Sequence, residues 1–75
     1  MALYASIRPT NTIVERYRKI DNFYEIYELI RSIMDDEETE EEAHYIAEDA
    51  ACWCETHFVG DTYEHDLFTI TIVED

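Results

Sequence analysis

Three histidines and two cysteines are the residues of this chain that could bind a transition metal or act as nucleophiles. Cys52 and Cys54 lie two positions apart, and His57 follows three positions after the second cysteine. A zinc site needs about four nitrogen or sulfur ligands that converge on one ion. On a helix, side chains two positions apart point about 200° away from each other, so these two thiols cannot share an ion. We therefore expect neither a metal site nor a cofactor.

Other catalytic arrangements are also poorly supported by the residues present. A nucleophilic pair of His57 with either cysteine would need an oxyanion-binding loop. A phosphate-binding loop needs several glycines, and the chain has one. His44 completes one Glu-x-x-His motif with Glu41, but carboxylate di-iron centres need two such motifs and further glutamates from other helices. The sequence therefore predicts a protein that is not an enzyme.

Carboxylates dominate the polar residues and are concentrated in one part of the chain. The 75 residues include 19 Asp and Glu against five Lys and Arg, which gives a formal net charge of −14 at pH 7. Residues 1–19 carry +3 (four cations less one acid), and residues 20–75 carry −17 (one cation less 18 acids). Phosphates are bound by Lys and Arg, so this charge excludes nucleic acid or an anionic membrane as the main direct partner.

A helix predicted over about residues 40–57 carries much of this charge on one side. Glu41, Glu48 and Glu55 are seven positions apart and form a stripe along the helix. Such a stripe is often an ordinary solvated face. However, like charges on one helix face repel each other, and no Lys or Arg follows Arg31 to relieve the repulsion, which favours a partner that supplies the cations. The predicted partner-binding residues are Asp35, Asp36, Glu37, Glu38, Glu40, Glu41, Glu42, Tyr45, Glu48, Asp49 and Glu55.

In its size, its tyrosine content and these acidic residues, the sequence resembles the small acidic inhibitors encoded by phages and mobile elements. Some of those proteins are DNA mimics, and several are anti-CRISPR proteins. The resemblance rests on residues 35–42 with Glu48, Asp49 and Glu55. It implies a non-catalytic inhibitor whose carboxylates compete with phosphates for the cationic cleft of a nuclease or other DNA-binding complex. The expected partner is thus a basic nucleic-acid-binding protein or nuclease complex.

A second hypothesis uses the aromatic residues instead of the charge. The chain has six Tyr, three Phe and one Trp, and Tyr45 and Trp53 both lie on the predicted second helix. The protein would then be an interaction module, such as an antitoxin-like or regulatory adaptor, that binds through an aromatic surface. The broad apolar face of residues 23–34 also leaves a homodimer open.

Three strands are predicted to position these residues. Residues 2–7 alternate between apolar and other side chains, which indicates a strand that ends before Pro9. Residues 12–20 begin with three β-branched residues, which favours a strand, but they also fit a helix with a capping box at Thr12. We prefer a strand whose basic residues lie on an exposed sheet edge. Residues 66–74 alternate most clearly and predict the last strand.

Two helices are predicted between the second and third strands. Residues 22–34 have a broad apolar face, with Asn22 as the capping residue. Thr39 caps the second helix, and Gly60 follows it in a left-handed conformation. The apolar face of the second helix is expected to contain Ala43, Ile46, Ala47, Ala50, Cys54 and Phe58.

The expected fold is a single domain over residues 1–75 of the α+β class. It has a small antiparallel sheet of three strands with two helices packed on one face, in the order ββααβ, and the last strand lies beside the first. No signal peptide is visible, and no run approaches the ~18 apolar residues that a membrane span needs. We therefore expect no membrane partner and a cytoplasmic location, which would be the host cytoplasm if the protein is phage-encoded.

Overall fold

The computed structural model describes residues 2–34 and 39–75. Within these residues the chain forms four strands and two helices in the order ββααββ. The α+β class, the antiparallel sheet and the two helices are as predicted, but the three-strand ββααβ order is wrong, because a short further strand precedes the last one. The elements are β1 (Leu3–Pro9), β2 (Arg16–Lys19), α1 (Phe23–Ile33), α2 (Glu40–Glu55), β3 (Thr62–Glu64) and β4 (Phe68–Glu74).

The strands form one antiparallel sheet in the order β2-β1-β4-β3. In the centre of the sheet Ile7 of β1 lies opposite Ile70 of β4, which confirms the prediction that the last strand adds beside the first. β3 pairs only with β4, with Tyr63 opposite Ile70. With three residues, β3 is too short to show an alternation pattern in the sequence.

The strand boundaries differ from the predicted ones at two places. β1 continues through Pro9, which pairs with Phe68 on β4, and the next residue, Thr10, donates its backbone N–H to the Leu67 carbonyl at 2.9 Å. The segment 12–15 is a loop and not part of β2, because the Thr12 hydroxyl accepts the Val14 N–H at 2.8 Å and so gives the backbone a local alternative to the sheet. The strand interpretation of residues 12–20 thus holds only for 16–19, and the helical one is wrong.

Both helices begin at the capping residues that the sequence indicated. The Asn22 side chain accepts the Glu25 N–H at 3.4 Å, and the Thr39 hydroxyl accepts the Glu42 N–H at 3.2 Å. α2 ends at Glu55, two residues earlier than predicted. Phe58 consequently lies outside the helix and is 75 % exposed, so its predicted place on the buried face is wrong.

The apolar core lies between the helices and one face of the sheet. Ala5, Ile7 and Ile70 on the sheet are fully buried in one cluster with Ile26 and Ile30 of α1. α2 contributes mostly small side chains, which allow its backbone to approach the other elements closely. Its buried residues are Ala43, Ala47, Ala50, Ala51 and Cys54. Among the helices of residues 2–34 and 39–75, none has the length and apolar character required to cross a membrane.

Candidate protein-binding surface on the second helix

The carboxylates of α2 all lie on its solvent side. The buried alanines fix the rotation of the helix about its axis, so the residues between them face outward. All six carboxylates and the Tyr45 side chain are exposed, the tyrosine to 62 %. We call this set the acidic surface; it consists of Glu40, Glu41, Glu42, Tyr45, Glu48, Asp49 and Glu55.

The remaining residues of the predicted partner-binding set precede the helix. Asp35, Asp36, Glu37 and Glu38 lie outside the described residues. The acidic surface as defined here is therefore the part of that set that α2 itself carries.

Glu48 belongs to a chain of polar contacts that joins the two helices. Its Oε2 atom lies 3.3 Å from Nε2 of His44, and Nδ1 of the same imidazole lies 2.6 Å from the Tyr27 hydroxyl on α1. Arg31 donates to that hydroxyl at 3.0 Å, and its guanidinium lies 5.8 Å from the centre of the Tyr27 ring. The only Lys or Arg in residues 20–75 is thus connected to the acidic surface through two side chains.

His44 therefore connects α1 and α2. The sequence reasoning missed this role. A signal for it was available: Tyr27 and Arg31, like His44 and Glu48, are separated by four positions, which makes each pair neighbours on one helix face. No sequence signal, however, indicated that these two pairs would face each other.

Asp49 is the member of the acidic surface that the fold uses directly. Its Oδ2 atom accepts a hydrogen bond from the Tyr63 hydroxyl of β3 at 3.1 Å. Burial, followed by this hydrogen bond and the negative charge of Asp49, raises the pKa of Tyr63 to about 12. The contact attaches the far edge of the sheet to α2, so removing Asp49 would disturb the fold as well as the surface.

The two thiols lie on different sides of α2, as the spacing predicted. Cys52 is exposed, whereas Cys54 is completely buried. Burial raises the pKa of the Cys54 thiol to about 12, with a smaller contribution from the charge of Glu55. His57 stacks on Trp53, with 4.4 Å between ring centres, and its Nδ1 lies 2.8 Å from the Trp53 carbonyl oxygen. In the part of the chain that the structure describes, no three His, Cys, Asp or Glu residues are grouped so that they could hold a metal ion.

The aromatic residues of the alternative hypothesis are divided between the core and the surface. Trp53 is half-buried and packs on Tyr63, with 5.5 Å between ring centres. The loop after α2 exposes Phe58 to 75 % and Val59 to 52 %. Trp53 also stacks on His57, the residue directly before Phe58.

No protein-family model, no curated protein and no solved structure matches this chain.

Proposed function

We propose that this protein is a non-catalytic inhibitor whose acidic surface binds the cationic nucleic-acid-binding cleft of a nuclease or other DNA-binding complex. The observation that carries this proposal is the arrangement of six exposed carboxylates around an exposed tyrosine on a helix that contains no Lys or Arg. The carboxylates would occupy the positions that phosphates take in the cleft, and Tyr45 would supply an amphipathic contact at the centre.

The length of α2 and the number of its carboxylates suit a partner that binds a linear array of negative charges. Its 16 residues span about 24 Å, so six carboxylates give about one charge per 4 Å. Duplex DNA carries one charge per ~1.7 Å when both strands are counted. The number of charges per ångström along the helix is therefore less than half of that along a duplex. Such a value suits a cleft that contacts only one side of its ligand.

The electrostatic cost of this surface also supports a binding role. Like charges concentrated on one helix face repel each other, whereas Glu–Lys pairs three or four positions apart would stabilise the helix. α2 contains no Lys or Arg that could form such pairs. A cationic cleft would relieve the repulsion on binding, and it would attract the protein rapidly in a salt-dependent manner.

The second candidate is the interaction module of antitoxin-like or regulatory-adaptor type. The exposed side chains of Phe58 and Val59 favour it, because large apolar residues at one loop are typical of a contact surface. Binding through this loop would depend on Phe58 and Val59 more than on charge, and added salt would change it little.

The test uses two variants with the same net charge. The first carries Glu41→Lys, Glu48→Lys and Glu55→Lys on the acidic surface, and the control carries Glu28→Lys, Glu64→Lys and Asp66→Lys at exposed positions elsewhere. The wild type and both variants are used to capture DNA-binding proteins from a nuclease-containing lysate at about 50 and 200 mM salt. DNA binding and cleavage by the captured protein are then assayed in the presence of the wild type and of each variant.

We expect the wild type and the control to inhibit DNA binding, the α2 variant to lose inhibition, and duplex DNA to compete with the protein. Inhibition that survives the α2 reversals would refute the proposal, as would an equal loss in both variants, since the effect would then be one of net charge. Loss of binding in Phe58→Ser with little salt dependence would support the second candidate instead.

A further inference from the structure

The sheet has a second face that the helices do not cover. Tyr4 and Val73 lie directly opposite each other on β1 and β4, and both alternate with residues of the buried face. Tyr17 of β2 lies opposite Ser6, two positions along β1 from Tyr4. The two tyrosines are therefore diagonal neighbours on this open face, within reach of each other's side chains.

A shallow pocket of about 410 Å³ lies at this place. Two tyrosines, one aliphatic side chain on the other side of Tyr4 from Tyr17, and two acidic residues at the end of β4 form its walls. The backbone hydrogen bond from the Asp75 N–H to the Ala2 carbonyl, at 3.0 Å, holds that end of the strand beside the start of β1. The lining residues are Tyr4, Tyr17, Val73, Glu74 and Asp75.

One tyrosine of the pocket is held in place before any ligand arrives. The Tyr17 hydroxyl donates to Oε2 of Glu15 at 2.9 Å, and the same oxygen accepts from the Ser6 hydroxyl at 3.0 Å. Ser6 is only 6 % exposed, so this anchor is fixed to the sheet. A side chain that is already oriented loses less freedom on binding, which favours affinity.

The chemistry of these walls fits a cation and not an anion. Tyrosine rings attract cations through their negative faces, and the lining contains two exposed acidic residues and no Lys or Arg. Glu74 alternates with Val73 and therefore lies on the other face of β4, so Asp75 is the carboxylate that a cation in the pocket would meet. Lys19 is the cation nearest in register, because it lies opposite Tyr4, but it is not part of the lining. Among the described residues, the structure records a cation over an aromatic ring only for Arg31 and Tyr27.

We propose that this pocket binds an arginine side chain of the protein partner. A guanidinium is planar, so it can stack on a tyrosine ring while its N–H groups donate to a carboxylate. The proposal rests on the proposed function in one respect, which is that the partner is basic. The pocket and the acidic surface lie on opposite sides of the sheet, so this arginine would come from a different part of the partner than the cleft, such as a loop or a second subunit.

The probe for the test is N-acetyl-arginine amide, and its neutral control is N-acetyl-citrulline amide, which has nearly the same shape. We expect the arginine probe to shift the NMR signals of the lining residues at millimolar concentration and about 150 mM salt, with no saturable effect of citrulline. Tyr17→Leu and Asp75→Asn should each weaken the binding by about three- to tenfold. The matched controls are Tyr24→Leu and Asp66→Asn, which change an exposed tyrosine and an exposed aspartate outside the pocket and should leave the binding unchanged.

Several outcomes would overturn the proposal. Equal binding of citrulline would show that charge is not recognised, and shifts spread over α2 would show general attraction to an acidic protein. Tighter binding of N-acetyl-lysine amide or choline would assign the pocket to another cation. The signals of Ala5 and Ile70, both buried in the core, report whether each variant is folded.

The failure of this proposal can be distinguished from the failure of the inhibitor proposal. The triple lysine variant of α2 keeps all five lining residues, so it should still bind the arginine probe at the pocket even when it no longer inhibits DNA binding. Loss of the pocket signals in that variant would contradict the separation of the two surfaces. Inhibition without any arginine binding would refute only the pocket.

Discussion

The Tyr27 hydroxyl lies 2.6 Å from Nδ1 of His44 and joins the middle of α1 to the second turn of α2. Because Arg31 donates to the same hydroxyl, the tyrosine proton is free to point at His44 when the imidazole is neutral. Nε2 then carries the hydrogen that faces Glu48, 3.3 Å away. The acidic surface is in this way attached to α1 through a polar contact as well as through the apolar core.

We predict that Tyr27→Phe lowers the free energy of unfolding by about 1 kcal/mol, because it removes the hydroxyl and keeps the ring. The matched control is Tyr24→Phe on the same helix, where the side chain is 75 % exposed and a change within about 0.5 kcal/mol is expected. Urea unfolding of both variants measures the difference. Equal effects of the two substitutions would show that the contact with His44 does not stabilise the fold.

Charge reversal at the two ends of α2 is expected to change stability in opposite directions. Glu41 lies in the first turn, where a negative charge is favourable, whereas Glu55 is the last helical residue, where it is not. At low ionic strength Glu41→Lys should destabilise the protein, and Glu55→Lys should stabilise it, each by about 0.3–1 kcal/mol. Urea unfolding at low salt and at 1 M NaCl checks this, since salt should reduce both effects.

The same two substitutions separate binding from stability. Both should weaken binding to a cationic partner, although only Glu41→Lys weakens the fold. If Glu55→Lys raised stability and left binding unchanged, the C-terminal end of α2 would lie outside the contact with the partner.

Thiol reactivity should distinguish the two cysteines. At pH 8 in the folded protein, Cys52 should react with 5,5′-dithiobis(2-nitrobenzoate) at once, because it is exposed. Cys54 should react only after unfolding, since it is fully buried and its pKa of about 12 leaves almost no thiolate. Cys52→Ser should remove the fast phase and Cys54→Ala should retain it. Two fast thiols in the folded protein would contradict the packing of α2.

The carboxylate of Glu15 gives the stability a defined pH dependence. Hydrogen bonds from Tyr17, first, and Ser6 hold its pKa below the ordinary value of 4.5. Because the pKa is lower in the folded than in the unfolded protein, the stabilisation is complete above about pH 4.5 and is lost as the pH falls through the folded-state value. The difference in thermal midpoint between the wild type and Glu15→Gln should therefore be constant near neutral pH and shrink below pH 4.5.

Tyr17→Phe provides the control for this effect. It removes the larger of the two hydrogen-bond contributions and keeps the carboxylate, so less stability should be lost below pH 4.5, and the loss should be complete at a higher pH than in the wild type. NMR titration of the Glu15 side chain measures the pKa in both proteins. An unchanged pKa would show that the Tyr17 hydroxyl does not hold the carboxylate.

The sequence by itself determined the local features of this protein. The two helix starts at Asn22 and Thr39 follow from hydrogen bonds within three residues, and the outward side of α2 follows from a helical repeat that buries Ala43, Ala47 and Ala50. The left-handed turn at Gly60, with φ of +95°, also depends on one residue type. Such features need no knowledge of distant parts of the chain.

Only the tertiary structure decided which distant residues meet. β3 exists because β4 provides a partner for its three residues, and Phe58 is exposed because α2 ends before it. The contact of Tyr27 with His44, and the pocket between Tyr4, Tyr17 and Val73, depend on helix packing and strand register. The physical reason is that these pairings are set by the burial of the shared core, which fixes the register of every element at once and leaves no local trace in the sequence.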